Sequence, residues 1–181
     1  VIPGSTLRHH LWNQVRGAVL TSATLTSGGQ FDYFLREAGL ANDVAVSTLE
    51  VASPFNYAQQ GSLVVTETVA DPRTPQQFTP EMVDALLEDL AQVQAGGLVL
   101  FTSREQMRLA VDALPTAMRQ HVLVQNTLPR AQLLQQHRER VASGLPSIIF
   151  GMQSFGEGLD LPGALCESLF ITKLPFAPPD D

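Results

Sequence analysis

Cysteine and lysine are nearly missing from this 181-residue chain. Cys166 is its single cysteine, and Lys173 its single lysine beside ten arginines. One cysteine excludes an internal disulfide and any all-cysteine metal site. A reducing cytoplasm is the simplest setting for such a chain. Basic charge is also scarce, and the net charge is −7. A self-sufficient nucleic-acid binder carries a basic face. This chain as a whole carries none, so any nucleic-acid contact is local or shared with residues elsewhere. Long apolar runs are absent too. The longest, Leu98-Val99-Leu100-Phe101 and Ile148-Ile149-Phe150, are strand-sized, far short of the ~20 residues that span a bilayer. Charged residues are only 16% and hydrophobic residues 44%, which excludes a polar disordered tail and supplies a core. Val1 is not a start methionine, and no charged-then-apolar leader follows it. The end, Pro178-Pro179-Asp180-Asp181, reads as a cut through a loop with a solvated tip, so the expectation is a piece of a longer protein.

Short apolar runs alternate with amphipathic stretches. Ala18-Val19-Leu20 reads as a strand ending in Thr21-Ser22-Ala23-Thr24, and residues 29–39 read as a helix stopped by Gly39. Further strands are expected at 44–51 and 62–67, with Ser53-Pro54-Phe55 breaking the pattern between them. Thr79 and Pro80 signal a helix start, with Glu81 suited to the helix dipole. Met82, Val83, Leu86, Leu87, Leu90 and Val93 make one apolar stripe, and Gly96-Gly97 should end that helix. The strand 98–101 then runs into Ser103 and Gln106, which have capping-box spacing. The next helix turns Met107, Ala110, Val111 and Leu114 inward. A strand at 121–124, a helix at 128–142, and strands at 147–150 and 168–172 complete the pattern. Strands alternating with helices predict an α/β fold, a mainly parallel sheet with helices on both faces. Function in such sheets gathers at the carboxyl ends of the strands. Three unusual segments are expected there: residues 21–24, 102–104 and 151–163.

The last of these holds four glycines, Gly151, Gly156, Gly158 and Gly163, directly after a strand. Gln153 and Ser154 offer donors near a helix start, where free N–H groups favour phosphate. Asp160, an acceptor when ionised, suits a ribose hydroxyl. From spacing alone the segment reads equally well as a loop that merely turns the chain. It is not a P-loop, because no Gly-Lys-Ser/Thr occurs in the chain. Taken alone, Thr21, Ser22 and Thr24 read better as a local helix cap than as a relay of hydrogen bonds, and the same holds for Thr102 and Ser103. His9, His10, His121 and His137 have no metal-ligand spacing and read as surface or packing residues. Trp12 and Cys166 read as packing residues.

Three segments in order carry a resemblance: Leu20-Thr21-Ser22-Ala23-Thr24-Leu25, then Val99-Leu100-Phe101-Thr102-Ser103 with Met107, then residues 154–163, Ser-Phe-Gly-Glu-Gly-Leu-Asp-Leu-Pro-Gly. Together they resemble motifs III, IV and V of the superfamily 2 DNA helicases of the DinG/XPD type, closest to the bacterial DinG-like branch. Ser53-Pro54-Phe55 resembles that family's junction between motifs III and IV. The resemblance implies two RecA-like motor domains with ATP between them. Residues 1–52 would end the first domain, with the motif III strand and the helix after it. Residues 53–181 would form most of the second, truncated before motif VI.

The resemblance also implies roles. Ser22 and Thr24 match the motif that couples nucleotide state to strand grip. Thr102, Ser103, Met152, Gln153 and Ser154 match residues that touch DNA. Glu157, Gly158 and Asp160 match the part facing ATP, with Asp160 on the ribose. No catalytic residue and no metal ligand is expected within the segment. ATP and Mg2+ would be held mostly by residues outside it, as would the iron-sulfur cluster found in many relatives. The implied partners are single-stranded DNA, forked or duplex DNA and the first motor domain, with no membrane, in bacterial DNA repair or replication. The segment alone should be inactive. The competing reading is a non-catalytic interaction module with a RecA-like fold. A complete small nucleotide-dependent enzyme is disfavoured by the absent P-loop.

Overall fold

The computed structural model describes residues 3–174, and the end at 178–181 lies outside them. The chain divides into two compact units, Val1–Leu63 and Val64–Asp181. Among the described residues no helix is long and apolar enough to cross a membrane.

In the first unit α1 (Gly4–Leu7) continues as a π-helical turn over Arg8–Trp12, and α2 spans Asp32–Glu37. The end of α2 leaves free carbonyls that need donors. Trp12 Nε1 donates to the Ala38 carbonyl at 2.6 Å and Arg8 Nε to the Gly39 carbonyl at 2.8 Å. Trp12 is thus a packing residue with a polar handle, and Gly39 stops the helix at φ +73° as expected. Arg8 also pairs with Asp43 at 3.2 Å. The Asp43 carboxyl is held below its usual range, chiefly by the Ala45 N–H it accepts.

No strand forms at 18–20, 44–51 or 62–67, contrary to expectation. Val19, Val44 and Leu63 are almost wholly exposed. A strand gains its stability from a neighbour's ladder and an apolar face to cover. Among the described residues these segments have neither. The expected motif III strand is therefore not present, and residues 21–24 do not follow a strand end. A short helix, α3 (Tyr57–Gln60), lies between the segments 44–51 and 62–67.

The second unit carries the sheet. Its strands are β1 (Gly96–Phe101), β2 (Val122–Val124), β3 (Ser147–Met152) and β4 (Ser168–Ile171). They lie in the order β2-β3-β1-β4, and every pairing is parallel. Helix α4 (Pro75–Leu90) precedes β1, and α5 (Arg104–Ala113), α6 (Thr116–Arg119) and α7 (Arg130–Ala142) run between the strands that follow. Side chains alternate across the strands. Val99, Phe101, Ile148 and Phe150 cluster on one face with Phe78, Met82, Leu86 and Leu90 of α4 and Ala110 of α5. Leu98, Leu100, Leu123 and Ile149 cluster on the other with Leu133 of α7 and Phe155. The result is the expected three-layer α/β arrangement.

Helix α2 is shorter than the expected 29–39, and the boundaries of α4 and β1 also differ from the sequence reading. Helix α4 starts at Pro75, not at Pro80, which lies inside it. Thr74-Pro75 is an equivalent start signal upstream. Burial of Phe78, Thr79, Met82 and Val83 offsets the backbone bond lost at Pro80. Thr79 is therefore no cap: its hydroxyl accepts from Gln106 Nε2 at 3.3 Å, joining α4 to α5. Glu81 instead accepts the Val69 and Ala70 N–H groups at 2.6 and 2.8 Å, which pins the incoming loop. Gly96 and Gly97 begin β1 rather than end α4. A side chain at Gly96 would overlap the Leu165 carbonyl, so the strand needs glycine there.

Candidate functional site

Parallel β1 and β3 deliver their carboxyl ends to the same sheet edge. Phe101 stands opposite Met152, so Thr102-Ser103 and Gln153-Ser154 leave the sheet side by side. Ser103 caps α5 as its spacing foretold, its hydroxyl oxygen accepting the Gln106 N–H at 3.4 Å. The Gln106 side chain does not return the bond. It reaches Thr79, and its Oε1 is buried without a partner. Thr102 and Ser103 are both half-buried.

After β3 the chain makes one helical turn, α8 (Gln153–Gly156). Phe155 anchors it in the core, only 5% exposed. The anchor depends on Gly151, since a Cβ there would meet the Phe155 ring at 2.8 Å. Packing thus explains one glycine of the segment. Gly158, at φ +65° with open space around it, is explained by the turn it makes. Ser154, Glu157, Gly158 and Asp160 are exposed, whereas Met152 and Gln153 are half-buried. Gln153 Oε1 is buried and unpartnered. The expected contact residues 152–154, 157, 158 and 160 therefore share one loop, with Thr102 and Ser103 beside its root.

Two residues at this loop were not singled out from sequence. Gln125, just past β2, extends the ladder with its side chain. Its N–H donates to the Phe150 carbonyl at 2.8 Å, and its Oε1 accepts the Met152 N–H at 2.7 Å. Arg130 donates to the Glu157 carbonyl at 2.9 Å and lies 5.1 Å from the Phe155 ring centroid. Their one sequence signal is position, at the carboxyl end of a strand and the start of a helix. An open pocket of about 170 Å³ lies among Gln125, Asn126, Leu128, Arg130, Ser154 and Phe155.

At the opposite, amino-terminal edge of the sheet, His137 is fully buried. Its Nε2 lies 2.8 Å from the Leu165 carbonyl and its Nδ1 2.9 Å from Ser147 Oγ. A carbonyl only accepts, so Nε2 carries the proton and Nδ1 accepts from the serine. Burial lowers the imidazole pKa, with Arg138 and Arg140 adding to the effect against the raising bond to Leu165. Burial raises the Cys166 thiol pKa, which keeps it in the unreactive form. Both act as packing residues.

Ser22 and Thr24 lie in the first unit, exposed. Ser22 Oγ accepts the Thr24 N–H at 3.2 Å and stands 3.3 Å from Thr24 Oγ1, a local hydroxyl turn. Among the described residues no group of three or more His, Cys, Asp or Glu side chains converges as a metal site would require.

A parallel sheet flanked by helices, with glycine-rich and hydroxyl-bearing loops at one edge, fits a RecA-like α/β domain. The helicase C-terminal domain family matches residues 86–181, more than half of the chain. The chain belongs to that family, and its fold is RecA-like α/β. It is similar to the ATP-dependent DNA helicase DinG of Photobacterium profundum, 40% identical over 179 residues, which cover 97% of this chain and 26% of that protein. It is also similar to the ATP-dependent DNA helicase DinG of Escherichia coli K12, 35% identical over 177 residues, or 96% and 25% of the two chains. The protein of that name from Salmonella typhimurium is 36% identical over the same length. The chain thus spans about a quarter of the relatives it matches.

Proposed function

We propose that this chain is part of the motor of a cytoplasmic, bacterial ATP-dependent DNA helicase. Residues 1–52 end the first RecA-like domain and 53–181 form most of the second. The link, Ser53-Pro54-Phe55, lies upstream of the division between the compact units. One observation carries the reading: the register of β1 and β3 gathers residues 102–103 and 152–160 at one sheet edge, the place where open α/β sheets bind ligands. The DinG names of the relatives, which cover nearly the whole chain, support it.

In this reading Thr102, Ser103, Met152, Gln153 and Ser154 touch the backbone of single-stranded DNA, at the end of a forked or duplex substrate. Hydroxyls and N–H groups suit such sequence-independent contacts. The acidic chain tolerates them because the channel is shared with other domains. ATP is the substrate on the other side of the loop. Glu157 and Asp160 are exposed there, and Gly158 leaves open space beside its backbone, so the segment fits a nucleotide. Asp160 accepts a hydrogen bond from the ribose. Mg2+ and the phosphates are held by residues elsewhere in the motor, and so is any iron-sulfur cluster, since Cys166 is this chain's one cysteine. Ser22 and Thr24 couple nucleotide state to strand grip.

The test is ATP hydrolysis by the full-length protein with and without single-stranded DNA, together with unwinding of a forked duplex. DNA-stimulated turnover and unwinding are expected. The 181-residue chain alone should hydrolyse no ATP, having no phosphate-cradling Gly-Lys-Ser/Thr loop. A full-length protein that ignores DNA and ATP would leave the interaction-module reading in place.

A further inference from the structure

We infer that Gln125 and Arg130 are positioning residues that hold the 152–157 segment in its DNA-competent shape, an inference resting on the function proposed above. The segment is a single turn and does not support itself. Its entrance is fixed by Gln125, whose side-chain oxygen takes the Met152 N–H at 2.7 Å while its backbone N–H pairs with Phe150. Its exit is fixed by Arg130, which donates to the Glu157 carbonyl at 2.9 Å and lies over the Phe155 ring. Gln125 opens the connection that leaves β2, and Arg130 is the first residue of α7 at its other end. Residues 125–130 therefore grip the loop at both ends, while Phe155 holds its middle in the core.

The chemistry is specific. An acceptor at position 125 is needed for an N–H that the sheet no longer pairs. A donor at 130 is needed for a carbonyl at the end of the turn. Met152 is half-buried, so its N–H left unpaired favours a different loop path, whereas Glu157 is exposed and there the Arg130 guanidinium competes with water for the carbonyl. Ser154 lies between the two braces and lines the same pocket as both of them. Its hydroxyl direction depends on the turn's shape, so the braces act on the strand through Ser154 and its neighbours without touching the strand themselves.

Two readouts on the full-length protein test this: hydrogen exchange of the peptide covering 152–158, and single-strand affinity. Gln125→Ala and Arg130→Ala are expected to speed exchange there by about 5- to 10-fold, the loss of one hydrogen bond each, and to weaken single-strand binding by a similar factor. Exchange over β1 should be unchanged, which a global loss of fold would not allow. Gln125→Glu keeps an acceptor oxygen and should restore slow exchange at Met152. Unchanged exchange in both alanine variants overturns the inference, whatever the DNA binding. Faster exchange with undiminished DNA affinity overturns it too. A wild-type protein that binds no single strand, by contrast, defeats the helicase reading itself.

Discussion

Phe101 and Met152 stand opposite one another on parallel neighbouring strands, so Thr102 and Gln153 emerge together from one edge of the sheet. Everything proposed for the site depends on that pairing. It follows from the alternation of Val99, Phe101, Ile148 and Phe150 on one face with Leu98, Leu100 and Ile149 on the other. A one-residue slip of either strand would turn its buried side chains to the wrong layer.

The anchor of α8 gives a first prediction. Phe155→Ala removes a buried ring packed over Gly151 and should destabilise the domain by about 3–5 kcal/mol. Gly151→Val drives methyl groups into the same ring and should also destabilise, by about 1–3 kcal/mol. Urea unfolding followed by circular dichroism measures both. A wild-type midpoint for Gly151→Val would mean that the ring does not sit against the strand.

His137 links α7, β3 and the turn at Gly163–Cys166 in one buried hydrogen-bond set. Its pKa is lower folded than unfolded. The unfolded chain therefore binds the proton first as pH falls. The stabilisation is complete above the unfolded value of about 6.5 and is lost as pH drops below it toward the folded value. Melting temperature should decline between pH 7.5 and 5.5, and His137→Gln, which does not titrate, should show a shallower decline. Parallel pH profiles for the two proteins would contradict this assignment.

Cys166 should behave as an inert thiol. Its raised pKa and partial burial predict alkylation by iodoacetamide at pH 8 slower than a free thiol by on the order of tenfold. Urea should restore the free rate. Rapid labelling of the folded protein would show an accessible thiolate.

Much of the second unit was legible in the sequence, because its signals are local. The stripe on α4, the Ser103 cap and the apolar runs of β1 and β3 each declare themselves within a few residues. The strands expected at 18–20, 44–51 and 62–67 did not form, because composition marks a strand former but not its partner. The start of α4 was misplaced because Thr74-Pro75 and Thr79-Pro80 send the same signal. The roles of Gln125 and Arg130 were invisible for a related reason. Each bonds a group 27 residues away, and no short pattern records that distance.

The central claim is that the 152–160 loop faces DNA on one side and ATP on the other, and two variants of the full-length protein test it most directly. Asp160→Asn keeps the shape and removes the charge. Losing a charge-assisted bond of about 1.5–3 kcal/mol should impair DNA-stimulated ATP turnover and unwinding together, by roughly 10- to 150-fold. Ser154→Ala should weaken single-strand binding measured without nucleotide more than it alters the KM for ATP. The measurement is an ATP titration at saturating DNA beside a single-strand titration without ATP, for both variants and wild type. Opposite dominance in the two titrations is the expected result. Unchanged ATP kinetics in Asp160→Asn with unchanged strand affinity in Ser154→Ala would contradict the account and leave the loop as a glycine turn.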